Sequence, residues 1–476
     1  MKRTTILSLL LSLTVLAAAQ DYDLVILNGR VMDPETRLDA VRNVGITGGV
    51  VRAVSERPLR GKVTLDARGL VVAPGFIDLH SHGQDAENYR AKAMDGVTMA
   101  LEMEVGVGDI DRWYAEREGK ALIHYGATVG HIPLRMAMMG DKGSLLPSGP
   151  GAQTVATDAQ IAEMKRQIRH GLERGAPGVG FGVMYVPAAS HWEILEMFRA
   201  AAEFHAPAYV HIRHGGPVEP GGVLGLEEVL AASAVSGAPL HVVHINSMGG
   251  DAAGQMLQMV GEALKHGLDV TTETYPYTAS MTDLSSAIYD EGWQRRLGID
   301  FKDLQWAATG ERLTAESFAR YRKQGGMVIA HGMKEEMIRM VVGHPSVMIA
   351  SDGILQAGKG HPRCCGTFSR VLGRYVRDGK TLSLMDAITK MTLKPAQRLE
   401  GRVPAAKNKG RIRVGADADL ALFDSATVAD QATFEKPGLY SKGIQHVLVG
   451  GTFVVRDGKL QDGVAPGRGV RAPVRP

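Results

Sequence analysis

The run Pro74-Gly75-Phe76-Ile77-Asp78-Leu79-His80-Ser81-His82 carries an apolar stretch into two histidines one residue apart. Read as a buried strand, its period of two puts Asp78, His80 and His82 on one face, so two imidazoles leave the strand end side by side. Imidazole is the commonest protein ligand for zinc and similar ions, and its second nitrogen can be held by a neighbour. A lone His-x-His also occurs at turns and at satisfied strand ends, so the pair gains meaning only from the rest of the chain. There, metal-type residues recur at the ends of short apolar runs: Leu101-Glu102-Met103-Glu104-Val105-Gly106, Tyr209-Val210-His211-Ile212-Arg213, His241-Val242-Val243-His244-Ile245-Asn246 and Ile349-Ala350-Ser351-Asp352-Gly353.

Each of these has a plainer reading. Glu102 and Glu104 fit a solvated strand face, but carboxylates inside so apolar a run are usually paired with cations or bound to metal. His241 falls on the face opposite His244 and reads as a packed or hydrogen-bonded histidine, and His214 reads as a loop residue. Taken singly, His211 and His244 fit a satisfied core histidine as well as a ligand; together with Asp352 they make coincidence a poor account. Four histidines, a carboxylate and an aspartate can hold one or two divalent ions, zinc foremost, with a position left for water. Such an ion lowers the pKa of that water to about 7 and polarises a carbonyl. Asp352 can then take the proton and hand it to a leaving amine, which is amide hydrolysis.

Something must bring these run ends to one place. Thr157 with Gln160 and Ser190 with Glu193 read as capping boxes, and Ile161, Met164, Ile168 and Leu172 form one stripe of the first helix. Short apolar strands follow such helices at Val179 to Val183, Ala208 to Ile212, Leu240 to Ile245 and Val347 to Ala350. Strand-helix alternation predicts a parallel sheet with helices outside it, and 476 residues leave room for a (β/α)8 barrel over 74–400 that collects its site at the strand ends. Residues 283–325, with Trp293 and Trp306, interrupt the rhythm as an excursion over the site. Residues 20–73 and 401–466 share a short-stranded β texture and are expected to meet in space. The Gly-, Pro- and Arg-rich tail from Gly467 reads as a loose terminus.

Composition narrows the function classes. Hydrophobic residues make up 45% and charged residues 22%, ordinary for a chain with a sizeable core, and a net charge of +3 without a basic run gives no footing for nucleic acid. Cys364 and Cys365 are adjacent and stand alone, so no disulfide framework is available; two reduced thiols in or near a loop are expected. Met1-Lys2-Arg3, the apolar Ile6 to Leu16 and Ala17-Ala18-Ala19 follow the order of a secretory signal peptide over 1–19. The apolar run is shorter than the ~20 residues of a spanning helix. Export to a periplasmic or extracellular space is therefore expected, with no membrane span.

The order Gly-Phe-Ile-Asp-x-His-x-His, two later strand-end histidines and Ser-Asp-Gly resembles the metal-dependent amidohydrolase superfamily, most of all its D-aminoacylase (N-acyl-D-amino-acid deacylase) branch. Gly96-Val97-Thr98, Gly130-His131-Ile132-Pro133-Leu134-Arg135, His211-Ile212-Arg213, Tyr275-Pro276-Tyr277 and His361-Pro362-Arg363 carry the resemblance, and Gly366-Thr367-Phe368 and Pro395-Ala396-Gln397-Arg398 extend it. It implies an α/β fold, a (β/α)8 barrel with a small β-sandwich built from both chain ends. It implies His80, His82, His211, His244 and Asp352 as ligands of one or two zinc-like ions, Asp352 as acid/base, and Tyr275, Arg363, His131 and Arg213 at a small substrate bearing a carboxylate. The family places a cysteine near position 105, where this chain has Val105; Glu104 is the expected substitute, with Glu102 in reserve. The family also tends to carry a lysine where this chain has Asn246. A cyclic-amide hydrolase or dipeptidase on the same scaffold, or a barrel retained only for binding, are the competing readings.

Overall fold

In the computed structural model, residues 22–216 and 218–475 are described; the expected leader lies outside them. Eight short apolar segments form one parallel sheet in chain order: Phe76–Asp78, Val97–Val107, His124–Gly130, Val179–Gly182, Ala208–His211, Leu240–Val242, Val270–Thr274 and Val347–Ile349. The first and eighth meet through a parallel bridge between Ser81 and Gly353, and the Asp352 N–H donates to the His80 carbonyl at 2.7 Å. The chain is thus a (β/α)8 barrel whose seam lies at the expected site.

The helices outside it follow their sequence signals. Asp158–Glu173 starts at a reciprocal Thr157–Gln160 capping box and buries Ile161, Met164, Ile168 and Leu172 against the barrel. Each such side chain contributes about 1.5–3 kcal/mol on leaving water, so Ile168→Ala should cost about 2–5 kcal/mol with its cavity. At His191–Ala202 the Ser190 hydroxyl caps the Glu193 N–H, but the Glu193 carboxylate turns inward to His131 and Arg135 rather than closing a box.

The apolar stretch read as one strand from Val71 onward is two. Val71–Pro74 pairs with Leu420–Phe423 in the terminal sheet, and Phe76–Asp78 opens the barrel. Gly75 divides them where the chain passes so close to Thr98 that a Cβ would sit 2.2 Å from its side chain. The two ends meet in space, their nine strands joined in one sheet. Its first strand, Tyr22–Asp33, gives one edge to Leu38–Thr47 and shares the other between Gly61–Asp66 and Val71–Pro74. Leu24, Ile26, Val44, Leu420, Leu422 and Leu448 are among the side chains of its core.

Two expectations are corrected. The tail is not loose: Val470 N–H donates to Tyr125 O at 2.7 Å and Ala472 N–H to Gly175 O at 2.8 Å, with Val470 and Ala472 buried, because backbone pairing and apolar burial outweigh the Gly/Pro composition. Cys364 and Cys365 are free and buried in the first turn of the helix Arg363–Arg370 rather than in a loop. The excursion after the seventh strand carries a three-stranded antiparallel sheet of Ala279–Asp283, Leu304–Trp306 and Met327–His331. No helix among the described residues is long and apolar enough to cross a membrane.

Candidate active site

The barrel gathers His80, His82, Glu104, His211, His244 and Asp352 in or just after its first, second, fifth, sixth and eighth strands. Glu104 lies within the long second strand, His211 closes the fifth, and His80 and His82 follow the first. His244 and Asp352 lie past their strands with φ of 32° and 51°, a left-handed backbone uncommon outside glycine, so strand alternation does not aim them. Asp352 is instead placed by its neighbour. Ser351 donates its N–H to Asp78 Oδ1 at 2.9 Å and its hydroxyl to Asp78 Oδ2 at 2.6 Å, and Lys92 Nζ completes this buried knot 2.8 Å from Asp78.

The donor atoms form two groups that meet at Glu104. In one, His80 Nε2 lies 3.2 Å from His82 Nε2, Glu104 Oε2 lies 3.2 and 3.1 Å from those two nitrogens, and Asp352 Oδ1 lies 3.5 and 3.2 Å from them. Four ligands at zinc bond lengths in a tetrahedron stand about 3.3 Å apart, so these five separations match five of its six edges. In the other group, Glu104 Oε1 lies 2.7 Å from His211 Nδ1 and 3.1 Å from His244 Nε2.

Each histidine of the first group has its far nitrogen held. His80 Nδ1 is 2.6 Å from Glu273 Oε1, and His82 Nδ1 is 2.8 Å from Glu102 Oε2. This fixes the tautomer that turns Nε2 toward the cluster. The second group differs: the His211 Nε2 and His244 Nδ1 are buried without a partner.

The electrostatics ask for a cation. Burial pushes the His80 imidazole down, yet the charges of Asp352, Glu104 and Glu273 outweigh it and raise it to about 10. Burial likewise opposes ionisation of Glu104, but His80 and the hydrogen bond to His211 hold it well below the carboxylate range. Asp352, against its burial, is kept low by Arg363, whose Nη1 stands 2.9 Å from Oδ2. A field that draws a proton onto His80 also suits a divalent ion, and the donor set of imidazoles and carboxylates fits zinc.

Tyr275 borders the cavity beside this cluster; its hydroxyl has no partner, and burial raises its pKa to about 12. Arg363 lies behind it, 4.6 Å from the Tyr275 ring, engaged with Asp352 and the Met281 carbonyl. His131 and Arg213 are not brought to the cavity. His131 Nε2 faces Glu193 at 2.7 Å inside a sealed ion-pair network with Arg135, and Arg213 is spent on two 2.8 Å bonds to Glu228. Each is engaged by a carboxylate on a following helix. Glu102 and Glu104, equivalent by spacing, divide: Glu104 joins the donors and Glu102 orients His82. Sequence reading passed over Glu273, although a carboxylate inside Val270-Thr271-Thr272-Glu273-Thr274 carries the same signal as Glu102. It also holds His241 Nε2 at 3.1 Å.

The cavity has a volume of about 370 Å³, with His211, His244, Tyr185, Tyr275 and Asp352 on its wall. Comparison with known proteins agrees with this geometry. The profile described as "Amidohydrolase family" matches residues 63–333 and 300–455. The chain is 32% identical to an N-acyl-D-glutamate deacylase of Alcaligenes xylosoxydans xylosoxydans, over 91% of this chain and 94% of that one. It is 28% identical to a D-aminoacylase of the same organism, over 92% and 95%. The crystal structure of an N-acyl-D-glutamate deacylase from Bordetella bronchiseptica, complexed with zinc and a phosphonate inhibitor, superposes with a TM-score of 0.82 at 27% identity, covering 95% of this chain and all of that one.

Proposed function

Because the chain belongs to the amidohydrolase family and is a hydrolase of carbon–nitrogen bonds other than peptide bonds, we propose that it removes the acyl group from N-acyl-D-amino acids. The observation that carries this is the pair of donor groups meeting at Glu104, in a chain similar over nine-tenths of its length to two deacylases of that class. His80, His82, Glu104, His211, His244 and Asp352 would hold one or two zinc-like ions, which when bound supply Lewis-acid polarisation of the scissile carbonyl and a more acidic water.

The chain's own residues do the rest. Asp352 accepts the proton of the attacking water and delivers it to the leaving nitrogen, base first and acid second. Arg363, paired to Asp352 Oδ2, keeps that carboxylate ionised and aimed. Glu273 and Glu102 hold the Nδ1 atoms of His80 and His82, so that Nε2 of each faces the other donors. The unpartnered Tyr275 hydroxyl donates to the substrate's carboxylate, and Arg363 beneath it adds positive charge. The protein is exported, with a mature terminus near Gln20; an intact Met1 on protein recovered from the cytoplasm of a native producer would refute that part.

A hydrolysis screen over N-acetyl-D- and N-acetyl-L-amino acids, with elemental analysis of the same preparation, tests the main reading. Metal-dependent turnover of D compounds is expected. Turnover confined to cyclic amides such as dihydroorotate or hydantoins would replace it.

A further inference from the structure

The cavity beside the donor cluster is rich in thioethers. Met184, Met248 and Met281 come from three separate stretches of chain and Met333 and Met337 from a fourth, and they line it together with Ile288. Met248 and Met337 are buried, and Met281 belongs to the excursion after the seventh strand. Unbranched, polarizable side chains of this kind form an adaptable apolar surface.

Charge is arranged to match. Among the described residues on the wall, Lys334 is the one ammonium or guanidinium, and its Nζ is already 2.7 Å from Asp251 Oδ2, another residue of the same wall. A carboxylate arriving there meets Asp251 as well as Lys334, so the pair offers no net attraction. Arg363 is turned to Asp352, and His211 and His244 face Glu104. A second carboxylate on the substrate would thus leave water for a methionine-rich surface that offers hydroxyls such as Ser247 and Thr282 but no free cation, which is unfavourable.

We propose that the amine half of the substrate carries a neutral apolar side chain, of methionine, leucine or phenylalanine type, and that acidic side chains are rejected. Naming this chain after its 32% identical relative, an N-acyl-D-glutamate deacylase, would therefore assign it the wrong side chain. The proposal rests on the deacylase reading for its reaction, while the preference belongs to the wall and shows in binding as well as in turnover.

The test is kcat/KM of the zinc-loaded enzyme on N-acetyl-D-methionine, -leucine, -phenylalanine, -glutamate and -aspartate. The apolar three should exceed the acidic two by about 10²-fold or more, the scale at which a buried unpaired polar group discriminates. Equal or reversed values overturn the proposal. Should none be cleaved, the deacylase reading falls separately, and calorimetric titration of N-acetyl-D-methionine and N-acetyl-D-glutamate into zinc-loaded Asp352→Asn protein still decides the wall. Tighter binding of the methionine compound upholds the proposal; equal binding, or none of either, overturns it. In Met333→Lys, checked for an unchanged melting temperature, the added ammonium should narrow the apolar-to-acidic ratio at least about tenfold. A folded variant with the ratio unmoved would overturn the assignment of this wall to the side chain.

Discussion

Glu104→Gln should strip the centre of metal, whereas Glu102→Gln should only loosen it. The two carboxylates lie on one strand two residues apart and are both buried, so the comparison isolates what each touches. Glu104 presents one oxygen to His80 and His82 at 3.2 and 3.1 Å and the other to His211 and His244 at 2.7 and 3.1 Å. An amide keeps the shape but removes the charge and turns an N–H toward nitrogens that must point lone pairs at an ion. A unit-charge pair at 4 Å is worth about 4 kcal/mol at an effective dielectric of about 20. A divalent ion at bonding distance makes this a lower bound, so affinity should fall by about 10³-fold or more. Glu102 acts through His82 Nδ1 at 2.8 Å, and losing an orienting partner of that kind costs about 10- to 100-fold. The assay is zinc content by elemental analysis after equilibrium dialysis against chelator-buffered zinc, with melting temperature as the fold control. Greater metal loss in Glu102→Gln than in Glu104→Gln, in folded proteins, would refute the assignment of ligand and support.

Asp352→Asn should retain fold and, loaded at saturating zinc, show a kcat on a substrate from the screen lower by about 10²- to 10⁴-fold, and near-normal kcat in that metal-loaded variant would remove Asp352 from proton transfer. Arg363→Lys keeps the charge but not the planar fork, so it should raise KM and depress kcat together, because Arg363 touches Asp352 as well as lying under Tyr275; methyl esters hydrolysed as fast as the free acids would refute its part in carboxylate binding. Glu273→Gln should weaken zinc binding about 10- to 100-fold through His80, measured by the same dialysis. Asp419, 2.6 Å from Lys409 and 3.1 Å from His124, is held well below the carboxylate range, despite its burial, by the Lys409 ammonium first and by its contact with His124. A depressed carboxylate contributes stability above its unfolded pKa of about 3.9 and loses it as pH falls through the folded value. Asp419→Asn should therefore lower the melting temperature at pH 7, and its gap from wild type should shrink on acidification toward pH 3; a gap independent of pH would refute the pairing.

Residue type and spacing alone determined a good deal. Period-three-to-four helices capped at Thr157 and short apolar runs between them require an alternating α/β barrel, because each element has one apolar face and parallel strands can cover it only with helices. The same reading singled out His80, His82, His211, His244, Asp352 and one of Glu102 and Glu104 as candidate ligands, since each ends or follows a run too apolar to carry an unpaired polar group, while the preference for Glu104 rests on the family resemblance. Other features could not be read locally. Gly75 splits one apolar run between two sheets because of how near Thr98 comes from another strand, and the tail docks because Tyr125 and Gly175 offer backbone partners. Which carboxylate binds and which supports depends on the closure of the barrel seam between Ser81 and Gly353, and the departure of His131 and Arg213 depends on Glu193 and Glu228 standing on neighbouring helices. Local periodicity determines which face a side chain leaves from. The partner it meets there is decided by other segments, from fifteen to several hundred residues away, through distances that exist only once the barrel is closed.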